Sequence, residues 1–189
     1  PLSVWAAMFA ELAQSVSVPV VSHLDHGRSA DECLAAIDLG FSSVMFDGSA
    51  LPLDDNIAQT AEIAAAAHRA GVSCEGEIGF VGYAEGAESR GTDPDEASAF
   101  AMATGVDAMA VSVGNVHLQE GAGAALDEAR LAQIRVRTGV PLVIHGGSGV
   151  PHAQRAALAM RGDVLKFNIG TELRQVFGHA LRTALQDAP

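Results

Sequence analysis

The stretch VPVVSHLDHG, residues 18–27, joins three valines and a proline to His23, Asp25 and His26. Its apolar half reads as a β-strand headed for a core, while its ionisable half would be costly to bury without compensation. A strand with this make-up is expected to run out of the core into a polar opening. The same form recurs along the chain in SSVMFDG, VSCEGEI, AMAVSVG, VPLVIHG and VLKFNIG. Between these runs lie Ala-rich helical patterns at residues 29–39, 56–70, 95–104, 125–138, 151–160 and 171–188. Several close on a glycine before the next strand, in DLGF, RAGV and RTGV, as C-terminal glycine caps do. The alternation, with a unit of roughly thirty residues, predicts a parallel α/β fold with six strands.

Six strands fit either an open doubly wound sheet or a (βα)8 barrel lacking two strands. Asp25 and His26, Asp47, Glu77, Asn115 and His117, His145, and Asn168 all fall at or just past the C-terminal ends of different strands. A barrel focuses its strand ends on one mouth, whereas an open sheet spreads them along a crevice, so a TIM barrel is expected. Residues 2–16 already read as a helix. The chain is therefore expected to be a single domain over residues 1–189 that lacks the first βα unit and the second strand of the barrel. GFVGYAEGAESRGT, residues 79–92, is rich in glycine and charge and has no clear period. It reads as a long loop on the mouth face, either a functional lid or an inert insertion.

A chain of 189 residues that is 49% hydrophobic can bury a substantial core. Its 11 basic and 23 acidic residues give a net charge of −12, which repels nucleic acid and anionic membranes at long range. An anionic substrate would have to be held by local donors. No apolar run approaches the roughly eighteen residues of a membrane span, and the first residues lack the basic segment of a signal peptide. A soluble, cytoplasmic protein is expected. Cys33 and Cys74 show no CxxC or metal-like spacing and read as reduced, buried thiols.

Of seven histidines, His68, His152 and His179 lie in helical patterns, where solvated or capping roles account for them. His23, His26, His117 and His145 sit on strands or strand ends, and the last three come from different strands. Three imidazoles with a fourth position open match a catalytic Zn²⁺ site, and satisfied core histidines are the alternative. HGGSGVP, residues 145–151, follows one strand and precedes a helix. Such a stretch can cradle a phosphate on backbone N–H groups, or can be a tight turn that needs glycine. A lipase-type oxyanion loop is excluded for want of a GxSxG elbow. Lys166, the single lysine, alternates with apolar neighbours and would point inward. It could form a Schiff base with a ketose or pair with a carboxylate low in the barrel.

SHLDHG, VMFDGS, EGEIG, VGNVH, VIHGGSGVP and KFNIGTELR, in that order, resemble the class II zinc-dependent ketose-bisphosphate aldolases, the group that holds fructose- and tagatose-bisphosphate aldolases. The resemblance runs from the first helix to Arg182. It implies one catalytic Zn²⁺ per subunit on His26, His117 and His145, with Glu77 as an alternative ligand. Asp25 would exchange a proton with the C4 hydroxyl, and Glu85 with the dihydroxyacetone-phosphate half. Gly146, Gly147 and Ser148 would cradle the phosphate, with Asn168, Gly170 and Thr171 beside it. Some family members add a monovalent cation, Na⁺ or K⁺, and relatives form homodimers or homotetramers. The implied activity is reversible cleavage of a ketose bisphosphate, or a related ketose 1-phosphate, to dihydroxyacetone phosphate and an aldehyde. A sugar-phosphate-binding relative without turnover, or a Schiff-base aldolase using Lys166, are the alternatives. Two positions depart from the family pattern: Leu118 follows His117 where glycine is usual, and Gly170 stands where fructose-bisphosphate members carry aspartate.

Overall fold

The computed structural model describes residues 1–84, 86, 88–119 and 123–186. Helix α1 (Leu2–Ser15) leads into alternating strands and helices: β1 (His23–Gly27), α2 (Ala30–Asp38), β2 (Ser43–Phe46), α3 (Leu53–Arg69), β3 (Ser73–Ile78) and α4 (Pro94–Thr104). The second half adds β4 (Ala108–Val111), α5 (Glu128–Thr138), β5 (Leu142–Ile144), α6 (His152–Met160), β6 (Lys166–Phe167) and α7 (Thr171–Gln186). The strands form one sheet in the order β1-β2-β3-β4-β5-β6, every pair parallel. The six parallel strands and their crossover helices follow the predicted alternation. The sheet is curled, so that side chains on its two end strands meet: Lys166 Nζ lies 3.3 Å from His23 Nε2, and Asn168 Nδ2 donates to Asp25 Oδ1 at 2.9 Å.

Helix ends follow local chemistry. Ser29, Asp93 and Asp127 cap α2, α4 and α5 by accepting from backbone N–H groups of the first turn. Gly139 stops α5 in the left-handed region at φ +64°. The core lies between the sheet and helices α2 to α5, where Phe46, Ile63, Phe100, Met109, Leu131 and Ile134 are buried. α1 and α7 bury no residue fully.

The first strand differs from its prediction. Residues 18–22 stay outside the sheet, and Val18 and Val21 are exposed. Among the described residues β1 is an end strand paired with β2 alone, and only the residues opposite β2 find ladder partners. Valine composition supplies the propensity, but the partner decides the strand. At the two ends of the 79–92 loop, Phe80 and Arg90 pair antiparallel and Thr92 Oγ1 donates to Ile78 O at 2.6 Å. No helix among the described residues is long and apolar enough to cross a membrane.

Cys33 and Cys74 are buried free thiols, and burial pushes both up to about 12. The thiolate is the reactive form. Both are therefore expected to resist iodoacetamide at neutral pH until the protein unfolds. Intact mass after a native pulse, compared with a denatured control, checks this, and full native alkylation would contradict it.

Candidate metal centre at the strand ends

The site is built from the C-terminal ends of the strands. Register shifts between Leu24 and Gly27 in β1, so Asp25 and His26 form a bulge that turns both toward the mouth. His26 sits at φ +54°, a conformation that non-glycine residues adopt at a cost and that clusters at functional sites. His145 leaves the end of β5 and is fully buried. His117 lies on the segment after β4, held by two backbone bonds to the 79–92 loop: His117 N donates to Gly82 O and Ala84 N to His117 O, at 2.8 and 3.0 Å. The Tyr83 ring lies over His117 with centroids 5.1 Å apart. Asn115 ties this segment to β5 by donating to the His145 carbonyl at 3.0 Å.

The three imidazoles converge, with one nitrogen of each of His26, His117 and His145 within 4.8 Å of the others. His26 Nδ1 donates to Asp47 Oδ2 at 2.7 Å, and His145 Nε2 donates to Glu75 Oε1 at 3.0 Å. These bonds leave His26 Nε2 and His145 Nδ1 facing each other at 2.8 Å. Two lone pairs at that distance repel, so the pair requires a shared proton or a cation. Behind His26, Glu77 is buried, and its Oε2, 3.8 Å from His26 Nδ1, has no hydrogen-bond partner among the described residues. An orphaned buried carboxylate oxygen and a converging imidazole set are the donor chemistry of a Zn²⁺ site. The residues present fit the metal that the resemblance implies.

Electrostatics agree. Burial alone would lower the His26 pKa, but the Asp47 hydrogen bond and the Glu77 and Asp25 charges hold it above its ordinary value. Asp47 is held near about 2, because bonds from His26 and Ser49 outweigh its burial. Glu77 is pushed up to about 8 by burial and by the Asp47 charge. His117 falls to about 4 through burial and its two histidine neighbours, which leaves a neutral imidazole. Positive charge is favoured beside the carboxylates, and lone pairs are kept available around it.

The pocket in front of these histidines is lined by Asp25, Gly146, Ser148, Asn168, Gly170 and Thr171, with Arg174 as its cationic side chain. Gly147 sits behind the wall and spends its amide on Asn168 O at 2.9 Å, so it closes the loop onto β6. Leu118 also lines the pocket, half-exposed at φ +57°, a left-handed backbone that suits glycine better than leucine. Glu85 lies outside the described residues. Sequence reasoning missed Glu75 and Arg174 and recorded Asp47 only as one more strand-end carboxylate. The signal for Asp47 was its place at the end of SSVMFDG.

Parallel strands that deliver three imidazoles to one mouth define an α/β protein with a candidate metal centre. The model of the family described as fructose-bisphosphate aldolase class-II matches residues 1–189, and the chain belongs to that family. It is 43% identical over 175 residues to a 6-phospho-5-dehydro-2-deoxy-D-gluconate aldolase of Shouchella clausii, covering 91% of this chain and 59% of that protein. A fructose-bisphosphate aldolase of Geobacillus stearothermophilus is 40% identical over 179 residues, covering 93% of this chain and 62% of that one. Among solved structures, the YdjI aldolase from Escherichia coli K12 superposes with a TM-score of 0.84 at 36% identity, over 100% of this chain and 66% of that one. The chain spans about three fifths of the length of these two curated relatives.

Proposed function

We propose that the protein is a zinc-dependent aldolase that cleaves a phosphorylated ketose to dihydroxyacetone phosphate and an aldehyde, and that its curled sheet is part of a (βα)8 barrel. The observation that carries the reading is the convergence of His26, His117 and His145 beside the unpartnered Glu77 oxygen. Those three histidines would hold the ion, with Glu77 as an alternative ligand. When bound, a divalent metal supplies Lewis-acid stabilisation of the negative charge left on the ketone fragment. Asp25, whose Oδ1 accepts from Asn168 Nδ2, takes the proton of the C4 hydroxyl as the C3–C4 bond breaks and the aldehyde carbonyl forms. The electron pair passes to the ketone half, and Glu85 returns a proton there. Gly146, Ser148, Asn168 and Thr171 bind the phosphate in a pocket whose cation is Arg174. A chain this acidic needs such local donors.

A Schiff-base mechanism is disfavoured, because Lys166 Nζ is engaged by the buried Glu75, donating to its Oε2 at 2.5 Å. A free amine is the nucleophile in that chemistry.

The test is a coupled assay for dihydroxyacetone phosphate release from fructose bisphosphate and from the substrate of the Shouchella relative, with and without a chelator. Activity that survives complete zinc removal would sink the proposal, and sugar-phosphate binding without cleavage would select the non-catalytic alternative. Asp25→Asn should lower kcat by about 10²- to 10⁴-fold, the range of a positioned acid or base. Zinc content should stay at the wild-type level. An Asp25→Asn variant within threefold of wild type would assign the proton to another group.

A further inference from the structure

Beneath the mouth lies a second polar set that the proposed reaction does not use. Glu75, on β3 two residues before Glu77, is buried, and its two oxygens serve different partners. Oε1 accepts from His145 Nε2 at 3.0 Å and Oε2 from Lys166 Nζ at 2.5 Å. Lys166, the only lysine of the chain, also reaches His23 Nε2 at 3.3 Å, and His23 Nδ1 donates to Ser43 Oγ at 2.8 Å. The contacts run Ser43, His23, Lys166, Glu75, His145 and so link β2, β1, β6, β3 and β5 across the interior of the curled sheet. Burying a carboxylate is costly unless it is paired and hydrogen-bonded, and here both oxygens are engaged.

The chemistry of this chain acts at one atom. An ionised carboxylate only accepts, so an imidazole nitrogen facing it carries a proton, and in the neutral ring the other nitrogen then presents its lone pair. For His145 the free nitrogen is Nδ1, which faces His26 Nε2 in the candidate metal centre. We infer that Glu75 is a positioning residue that fixes the His145 ring and its tautomer for metal binding, and that Lys166 holds Glu75 for that task. The inference rests on the reading of His145 as a metal ligand. It gives the single lysine an electrostatic role in place of a covalent one.

The experiment separates that reading from the inference. Zinc affinity is measured by competition with a chromophoric chelator, and the His145 tautomer by long-range ¹H–¹⁵N histidine spectra of the metal-free protein. Wild type is expected to bind one zinc ion and to carry the His145 proton on Nε2. Glu75→Gln, whose amide can turn either an acceptor or a donor to the ring, should weaken zinc binding about 10-fold and mix the tautomers; Glu75→Leu should weaken it about 100-fold, the span seen when such partners of metal-bound histidines are lost. Lys166→Arg should stay near wild type and Lys166→Met should fall several-fold. Folding of each variant is read by circular dichroism. If wild type binds no zinc, the metal reading fails. If wild type binds zinc but Glu75→Gln and Glu75→Leu bind within twofold of it, the positioning role is overturned. Should Glu75→Leu not fold, Glu75→Gln and the wild-type spectrum still decide, because a wild-type His145 protonated on Nδ1 and not on Nε2 overturns the inference alone.

Discussion

Replacing His26 with alanine is expected to lower kcat/KM for aldol cleavage by about three orders of magnitude, or ~4 kcal/mol of transition-state stabilisation, within the several kcal/mol a metal ion supplies as Lewis acid. The size follows from what converges on this one ring. His26 places Nε2 opposite His145 Nδ1 at 2.8 Å and bonds Asp47 through Nδ1 at 2.7 Å. Its centroid is 5.0 Å from that of His117 and 4.5 Å from that of His145. Removing it takes one imidazole from the candidate centre and leaves Asp47 without its imidazole partner. Zinc content by elemental analysis and dihydroxyacetone phosphate release are measured on the same preparation. His26→Ala that keeps full zinc occupancy and activity within tenfold of wild type would remove His26 from the metal set.

The residues at this centre were not equally legible. Asp25, His26, His117, His145 and Asn168 could be placed at one mouth from sequence, because each ends an apolar run and parallel strands point their ends the same way. Glu75 could not. In SCEGEI the alternation puts Glu75 and Glu77 on one face, but β6, which supplies Lys166, is separated from β3 by β4 and β5, and only the curl of the sheet brings them together. The pairing of Lys166 with an unspecified carboxylate was readable, and its partner was not. Residues 18–21 erred in the opposite direction, with strand-like composition and no neighbouring strand among the described residues to complete the ladder. Leu118 shows a third kind of blindness. Nothing in the word leucine predicts φ +57°, and only its departure from the family's usual glycine marked the position.

Gly146→Ala is expected to cost about 3 kcal/mol of stability, from a left-handed backbone and an overpacked contact together. At this chain length that corresponds to a fall in Tm of about 6–12 °C. Gly146 stands at φ +65°, and an added Cβ would run into the Val116 carbonyl. That obstacle is backbone and cannot rotate away. Its displacement would pass directly to His117, the next residue, whose amide is held by Gly82 O at 2.8 Å and whose ring belongs to the candidate metal centre. Zinc affinity should therefore fall together with stability. Gly139→Ala is the matched control: its φ is +64°, but nothing lies within 4 Å of the added atom, so it carries only the backbone cost of about 1 kcal/mol. The difference between the two variants isolates the contact with Val116. Urea unfolding of both, with zinc competition on the folded proteins, measures it. Equal losses would show that the 145–151 turn yields to the extra methyl, and that Gly146 is required for its φ alone.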